Sequence, residues 1–480
     1  MNVKNNMVSG KRVLMIFPPF QNHFFGRKWK RTESIFPPLG LLYIASPLVK
    51  AGYQVKIIDL QVDHLSKHQY FEHIKNSDFV LISCFTFAID NIQKIIHNIK
   101  STNSKTKIVC GGPYCNETKK HIENADYTLF GEADLVIADL LDLISENKSL
   151  ASIPGLCYTL NGDFIRNPGE QIPENLDNIE PPLFDLVKNR NYGYIYGVNV
   201  KNIYPIITSR GCPFKCAFCT FQNVKYRVRS VENVTREIKM RVDSGAKYLI
   251  ICDDNFLLNR SRVNSVLDYI ISNKLKIKII IQGRIDIIDQ DLFIKMKQAN
   301  VIMLIFGIEN VNQDVLNYYN KKINIEKIRE VIESANNFGI LTFSGIIIGS
   351  PLEGNEHFEN IIKFFKNVPQ DFLSVNILRY QYPSPLWIRA NADGLIRDDE
   401  LFVYANEKLS KFSLDELLVA QRKIIRSFYN NPKRIIRLIY KLSKHFGFFV
   451  IFKIIAFFIN KSIYRPAHEF HKSSVLKKLR

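Results

Sequence analysis

The sequence predicts an α/β protein with three parts: an N-terminal doubly wound parallel sheet, a second parallel series forming a partial or complete (β/α) barrel, and a helical C-terminal segment. Three observations predict it. Short continuous apolar runs alternate with amphipathic helical patterns, twice over. A stretch rich in Pro and Asn separates the two series. After "NADGLI" the pattern is helical to the end. The chain has 480 residues, 46% hydrophobic and 23% charged, which fits two or three globular domains with a sizeable core.

The elements follow in order. "RVLMIF" reads as a buried strand, "PPLGLLYIASPLVKAGY" as a helix closed near Gly52, and "QVKIIDL" as the second strand. "SDFVLISCF" is a third strand, "AIDNIQKIIHNIKS" an amphipathic helix and "KIVCGG" a fourth strand. "CNETKKHIEN" reads as a helix and "ADYTLFGE" as a fifth strand. Continuous apolar strands mark a parallel sheet covered on both faces, whose ligands lie at the carboxyl ends of its strands. The apolar run before the first Pro-Pro spans about five residues, too short for a secretory h-region, so a cytoplasmic protein is expected. This first domain is assigned to residues 1–146. Residues 147–203 form a linker, with "PGLCYTLNGDFIRNPGE" as a small hairpin.

The second series starts at "YPIITSR". Its later strands are "KYLIICDD", "KIIIQGRID", "VIMLIFGIE", "LTFSGIIIGSP" and "FLSVNILR", and its helices include "SVENVTREIKMRVDSG" and "IEKIREVIESANNFG". This domain is assigned to residues 204–396, with its catalytic end at the carboxyl ends of the strands. Residues 397–480 are the helical basic region. The net charge is +19, and residues 417–480 carry most of it, with 15 Lys/Arg against one acid, Glu469. Phe446 to Asn460 contains Lys453 and would be about 22 Å long as a helix, short of the roughly 30 Å of a bilayer core. Two readings stand: a helix packed on the barrel, or an interfacial helix dipping Phe448, Phe449, Phe452, Ile455, Phe458 and Ile459 into lipid, on the inner face of the membrane.

The stretch "RGCPFKCAFC" holds three of the eight cysteines: Cys212, Cys216 and Cys219. In a reducing compartment such clusters bind metal more often than they form disulfides. Structural zinc wants four protein ligands, usually in CxxC knuckles or with His, and no second CxxC is present. A ferredoxin-type cluster would need a fourth nearby cysteine. Three thiolates fit a four-iron cluster with one iron left open.

The CxxxCxxC spacing, with Phe218 before the third cysteine, resembles the signature of the radical S-adenosylmethionine (SAM) enzymes. "RSVENVTREI", "CDDNF", "GRIDIID", "FGIEN" and "GSPLEG" resemble family segments in the expected order. The resemblance implies a [4Fe-4S] cluster held by Cys212, Cys216 and Cys219, with SAM chelating the open iron. Reductive cleavage then gives a 5′-deoxyadenosyl radical that takes hydrogen from substrate. Asp253, Asp254 and Asn255 end a strand where a carboxylate can accept from the SAM ammonium. Arg284 could pair its carboxylate, and Glu309 could contact the ribose or amino acid moiety. Leu352 in "GSPLEG" stands where relatives usually carry Gly, and Asn310 in "FGIEN" where they usually carry Ser.

The first domain resembles the Rossmann-like cobalamin-binding domain found ahead of many radical SAM domains. The matching positions are Pro18 in "FPP", Gly40 in "PPLGLL", Asp59 in "VKIIDL", Gly111, Gly112 and Pro113 in "CGGP", and Glu132 in "GE". Glycines at a strand end let a ligand approach the backbone. The D-x-H-x-x-G sequence of cobalt-ligating relatives is missing, so cobalamin is expected without histidine ligation and His64 and His68 are expected in solvent. Cys84, Cys110, Cys115 and Cys157 are scattered along the chain and read as packed core residues.

These resemblances imply a cobalamin-dependent radical SAM enzyme that methylates an unactivated carbon. Its substrate would be a small molecule, and a lipid or isoprenoid if the tail meets membrane. The electron donor would be a flavodoxin or ferredoxin. Cyclisation or rearrangement, as in the anaerobic tetrapyrrole cyclase, and a non-catalytic cobalamin or iron-sulfur sensor are the alternatives. No nucleic acid is expected: a tRNA methylthiotransferase would carry a second cluster on N-terminal cysteines and a C-terminal β-domain.

Overall fold

The computed structural model describes residues 10–20, 36–195, 198–221 and 224–447. They form two compact units, one ending at Tyr192 and the other beginning at Gly193.

The first unit runs β1 (Arg12–Phe17), α1 (Leu39–Lys50), β2 (Gln54–Asp59), α2 (Lys67–Lys75), β3 (Phe79–Ser83) and α3 (Ile89–Thr102). It continues with β4 (Lys107–Gly111), α4 (Pro113–Thr118), β5 (Tyr127–Leu129), α5 (Ile137–Ser145), β6 (Leu156–Leu160) and β7 (Asp163–Arg166). The strand order is β2-β1-β3-β4-β5-β6-β7, and the first five strands are parallel. This is the doubly wound arrangement the alternation predicts. Val13 to Ile16 and Val80 to Ile82 are buried because helices cover both faces of the sheet. α3 lays Ile92, Ile95, Ile96 and Ile99 on the sheet, the i, i+3, i+4, i+7 stripe of an amphipathic helix.

The compact unit extends past residue 146. The hairpin β6–β7 joins the sheet as two antiparallel strands, β6 against β5. Chain as far as Tyr192 belongs to this unit: Tyr192 donates its hydroxyl to Asp59 (2.9 Å) and Arg190 donates to the Ile57 carbonyl (2.6 Å). Local pattern marked the hairpin, but antiparallel addition to a parallel sheet has no sequence period of its own. The helix expected over "CNETKKHIEN" is also corrected: α4 starts earlier, at Pro113, and stops at Lys119, which takes a left-handed conformation.

The second unit starts with β8 (Tyr194–Ile195), β9 (Val198–Asn199), β10 (Ile203–Ile206), β11 (Ser209–Arg210) and β12 (Arg227–Val228). Then follow α6 (Val231–Asp243), β13 (Tyr248–Ile251), α7 (Arg260–Ser272), β14 (Lys278–Gln282), α8 (Gln290–Gln298) and β15 (Val301–Glu309). Next come α9 (Gln313–Tyr318), α10 (Ile325–Asn337), β16 (Leu341–Ile348), α11 (Asn355–Asn367), β17 (Phe372–Ile377) and β18 (Arg379–Gln381). The chain continues through α12 (Pro385–Ala392), β19 (Phe402–Tyr404), α13 (Leu414–Tyr429) and α14 (Pro432–Phe446).

Strands β10-β13-β14-β15-β16-β17 form one parallel sheet in that order. Among the described residues β17 does not pair with β10, so of the two barrel readings the partial one holds. Ile279, Ile280 and Ile281 of β14 are each 0% exposed, so truncating one to Ala would cost about 2–5 kcal/mol. Beyond residue 396 the chain is not wholly helical: β19 pairs antiparallel with β18. α13 packs on β17, where Gln421 donates to the Val375 carbonyl (2.6 Å) and the Tyr429 hydroxyl meets Leu373 (3.1 Å). The expected apolar segment from Phe446 to Asn460 lies, after Gly447, outside the described residues.

Candidate functional site

The cysteine loop leaves the carboxyl end of β10. Gly211 has φ +82, and a Cβ there would sit 2.5 Å from the Lys225 carbonyl oxygen, so only glycine fits where the loop crosses its own return strand. Ala217 N–H donates to the Tyr319 carbonyl (2.8 Å), and Leu386 N–H donates to the Ala217 carbonyl (3.0 Å). Asn320 donates to the Lys215 carbonyl (2.6 Å). Phe218 meets the Tyr319 ring edge-on at 5.5 Å. Backbone contacts from distant elements thus fix the loop. Two sulfurs receive hydrogen bonds: Phe221 N–H to Cys219 Sγ (3.4 Å) and Arg284 Nη1 to Cys216 Sγ (3.8 Å). Burial pushes the Cys212 thiol up, and the Cys219 thiol to about 11.

The neighbouring strand ends hold the other candidates, in distinct roles. Asp253 is turned inward. Its carboxylate accepts from Thr208 N–H (2.6 Å), Thr208 Oγ1 (2.5 Å) and Ser209 Oγ (2.6 Å), and it is 1% exposed. It ties the end of β13 to the root of the cysteine loop. Asp254 is exposed, yet desolvation by the protein around its carboxyl raises its pKa, and the Gly211 backbone opposes the rise. Asn255 accepts from Arg284 N–H (3.3 Å), while its Nδ2, fully buried, finds no acceptor in the protein.

Arg284 is already engaged. It forms a two-pronged ion pair with Asp286 (both 3.0 Å), donates to the Lys321 carbonyl (2.8 Å) and lies 3.8 Å over the Phe214 ring. The expectation that it pairs a ligand carboxylate competes with this arrangement, which sets its charge beside Cys216. Glu309 ends β15 at φ +68, a strained conformation for a residue with a side chain. Its carboxylate accepts from Lys321 Nζ at 2.9 Å, and a Cβ on Gly307 would lie 1.9 Å from Glu309 Oε1. The strand bulges between Gly307 and Glu309, a common device for re-aiming a side chain.

Three sets of residues escaped sequence reasoning. Lys321 follows α9 as one lysine among many. Glu353 accepts from Asn310 Nδ2 (2.8 Å), Gly349 N–H (2.6 Å) and Ser350 N–H (2.8 Å). It joins "FGIEN" to "GSPLEG", and burial raises its pKa to about 7. Behind the loop, Arg229 donates to the Ile207 carbonyl (2.7 Å) and pairs with Glu237, while Arg262 donates to the Thr208 carbonyl (2.6 Å). Only the i, i+4 spacing of Glu237 and Arg241 on α6, which also pair, carried a signal.

In the first unit, the carboxyl ends of β1 and β3 carry a phenylalanine group. Phe17 and Phe85 lie 5.4 Å apart, Phe20 and Phe87 4.6 Å, and Phe87 is 42% exposed. Pro18 is buried and Gly40 exposed, while Glu132 and Pro113 are half-buried. Glu132 N–H donates to the Gln171 carbonyl (2.7 Å). Gly112, expected to admit a ligand, has its open side filled by Cys84, whose backbone a Cβ would meet at 3.2 Å. Asp59 is turned inward; burial raises its carboxyl to about 6, opposed by Gln61 N–H and the Tyr192 hydroxyl. His64 and His68 are exposed. The cysteines scattered in sequence share one core: Cys84 lies against Cys110 and Cys115, with Cys157 in the same cluster.

Residues 206–365 match the profile of the radical SAM superfamily, and residues 30–141 that of the B12 binding domain. The chain carries a radical SAM domain preceded by a B12-binding domain. An uncharacterized methyltransferase of Pyrococcus horikoshii is 29% identical over 457 residues, covering 92% of this chain and 96% of that protein. The hopanoid C-3 methylase of Methylococcus capsulatus is 25% identical, covering 85% and 77%. The anaerobic magnesium-protoporphyrin IX monomethyl ester cyclase of Rubrivivax gelatinosus is 27% identical, covering 74% and 66%. The cobalamin-dependent SAM radical enzyme OxsB shares the fold, with a TM-score of 0.66 at 16% identity over 98% of this chain and 75% of that one.

The cofactors of this radical SAM protein are a [4Fe-4S] cluster, SAM and cobalamin, and its residues fit them. Three soft thiols with hydrogen bonds to two sulfurs suit an iron-sulfur cluster, whose potential such bonds tune. Among the described residues no three His, Cys, Asp or Glu side chains converge on a single ion, and the thiolates of a four-iron cluster bind separate irons. The unanswered Asn255 Nδ2 is a buried donor at a strand end, where a polar ligand would satisfy it. The half-exposed phenylalanines offer apolar surface suited to a corrin at the ligand-binding edge of the first sheet.

Proposed function

We propose that this radical SAM enzyme transfers a methyl group from methylcobalamin to an unactivated carbon of a hydrophobic, lipid-like substrate. One observation carries the reading: a thiol-rich strand-end loop and a B12-binding sheet lie in a single chain, whose relatives along most of its length include an uncharacterized methyltransferase and a hopanoid methylase. When bound, the reduced cluster supplies the electron that splits SAM, and cobalamin supplies the methyl group.

The protein's own residues take these parts. Cys212, Cys216 and Cys219 ligate the cluster, and Arg284 sets the charge beside it. Asp254, Asn255 and Glu309 bind SAM, with Phe218 packing the loop. Asp253 positions the loop and does not touch ligand. Pro18, Gly40, Gly111, Pro113 and Glu132 border the cobalamin edge, while Asp59 and Gly112 support it from within. A reduced flavodoxin or ferredoxin supplies electrons. Among the described residues no helix is long and apolar enough to cross a membrane, and the protein acts from the cytoplasm, meeting membrane at its periphery.

The test is anaerobic reconstitution with cobalamin, reductant and SAM carrying a deuterated methyl group, incubated with extracted lipids. Formation of 5′-deoxyadenosine together with a lipid that gains the labelled methyl is expected. The cyclase relative supports a second reading, cyclisation or rearrangement. A product with unchanged carbon count would favour it, and 5′-deoxyadenosine with no labelled product in any fraction would count against methyl transfer.

A further inference from the structure

Helix α14 buries Leu438 and Leu442 on its inner face and, beside them, two charged side chains. Two of its cations face inward. Arg434 is 2% exposed, lies 3.7 Å over the Phe428 ring, and donates to the carbonyls of Gln370 (2.9 Å), Phe428 and Phe365. Lys441 is 4% exposed, with Nζ 2.9 Å from Asp371 and 3.2 Å from the Ile340 carbonyl. Arg437, on the flank, also reaches Asp371 and the Gln370 carbonyl (2.9 Å). These bonds fix the helix orientation, because turning it would strip buried charges of their partners.

The opposite face keeps large apolar groups in water. Ile436 is 70% exposed and Tyr440 65%, the two most exposed large hydrophobic residues among those described. They are four residues apart and share one side of the helix. Lys433 and Lys444, both exposed, lie along the same flank at the 3.6-residue period. α14 contains no acidic residue, though it carries Lys433, Arg434, Arg437, Lys441 and Lys444.

We propose that this outer face docks on an anionic membrane surface. Ile436 and Tyr440 enter the headgroup layer, and Lys433 and Lys444 meet lipid phosphates. Charge complementarity selects the occupant: an apolar centre with a cationic flank and no acid suits an anionic bilayer. The inference stands on the helix and does not depend on methyl transfer, which 5′-deoxyadenosine formation in vesicle-free solution reports separately.

The experiment is sedimentation of the full-length, cofactor-loaded protein with phosphatidylglycerol vesicles and with phosphatidylcholine vesicles. The parent should pellet with the first, less so at high salt, and stay in solution with the second. I436S/Y440S and K433E/K444E should each weaken binding to phosphatidylglycerol at least about tenfold, with unchanged melting temperature and cobalamin spectrum. F449S/F452S in the following segment separates the tail from the helix. If both α14 variants pellet as the parent does, whether or not the tail variant fails, the proposal is overturned. Equal pelleting of the parent with both lipids, or with neither, overturns it as well.

Discussion

Lys321 Nζ lies 2.9 Å from Glu309 Oε1, with the two side chains 8% and 12% exposed. The same lysine's carbonyl accepts from Arg284, which touches Cys216. One short segment therefore links the carboxylate proposed to bind SAM with the loop proposed to hold the cluster. The strained backbone of Glu309 and the bare Gly307 beside it make room for that carboxylate.

Substitution at this pair separates binding from folding. In G307A the new methyl would overlap the Glu309 carboxylate, and in K321M the carboxylate would lose its buried counterion. Both should weaken SAM binding by about tenfold or more, the scale of a lost buried charged hydrogen bond, as read by equilibrium dialysis on the cluster-loaded protein. K321R should keep more affinity than K321M. Unchanged dissociation constants in G307A and K321M would remove Glu309 from the SAM site.

The cluster assignment gives a sharp contrast. C212A, C216A and C219A should each lose the visible iron-sulfur absorbance and all 5′-deoxyadenosine formation, whereas C84A and C157A should keep both. R284Q removes the cation beside Cys216 and should lower the cluster's reduction potential, since a nearby positive charge favours the reduced state. A redox titration monitored by electron paramagnetic resonance measures it, and a raised potential would contradict the electrostatic reading.

Glu353 makes stability depend on pH. Its carboxyl titrates near 4.5 when unfolded and near 7 when folded. Between those values the folded state holds more protons, so stability falls as pH rises through the window and levels off above it. The drop is about 3 kcal/mol. E353Q should flatten the response over that window in urea denaturation, and at its acid end, where the parent carboxyl is protonated, it should be about 1–3 kcal/mol less stable than the parent because its amide faces backbone donors. A variant that keeps the parent's slope would assign the titration to another group.

The first unit's extent is also testable. A fragment ending near residue 146 leaves out β6, β7 and Gln171, whose carbonyl accepts from Glu132 N–H. It also lacks Tyr192 and Arg190, which hold the end of β2. A fragment of residues 1–192 should therefore bind hydroxocobalamin and unfold cooperatively, while one of residues 1–146 should do both poorly. Equal binding and equal melting temperatures would return residues 147–192 to a linker.

The sequence alone determined whatever is periodic or local. The strands of both sheets announced themselves as continuous apolar runs, because a parallel strand is buried on both faces. α3, α6 and α10 showed the stripe of a helix with one buried side, and the cysteine spacing marked the loop because all three thiols fall within eight residues. Tertiary structure decided what depends on residues distant in the chain. Asp253 and Asp254 are adjacent in sequence, yet alternation along an extended chain turns one to Thr208 and Ser209 inside and leaves the other exposed. Lys321 gained its place from a carboxylate twelve residues away, Glu353 from an asparagine just past β15, and the hairpin from a free sheet edge. In α14 the apolar stripe that holds Leu438 and Leu442 was legible, and it is the stripe that faces inward. The burial of Arg434 and Lys441 beside it was not, because it depends on the Gln370 carbonyl and on Asp371, distant in the chain.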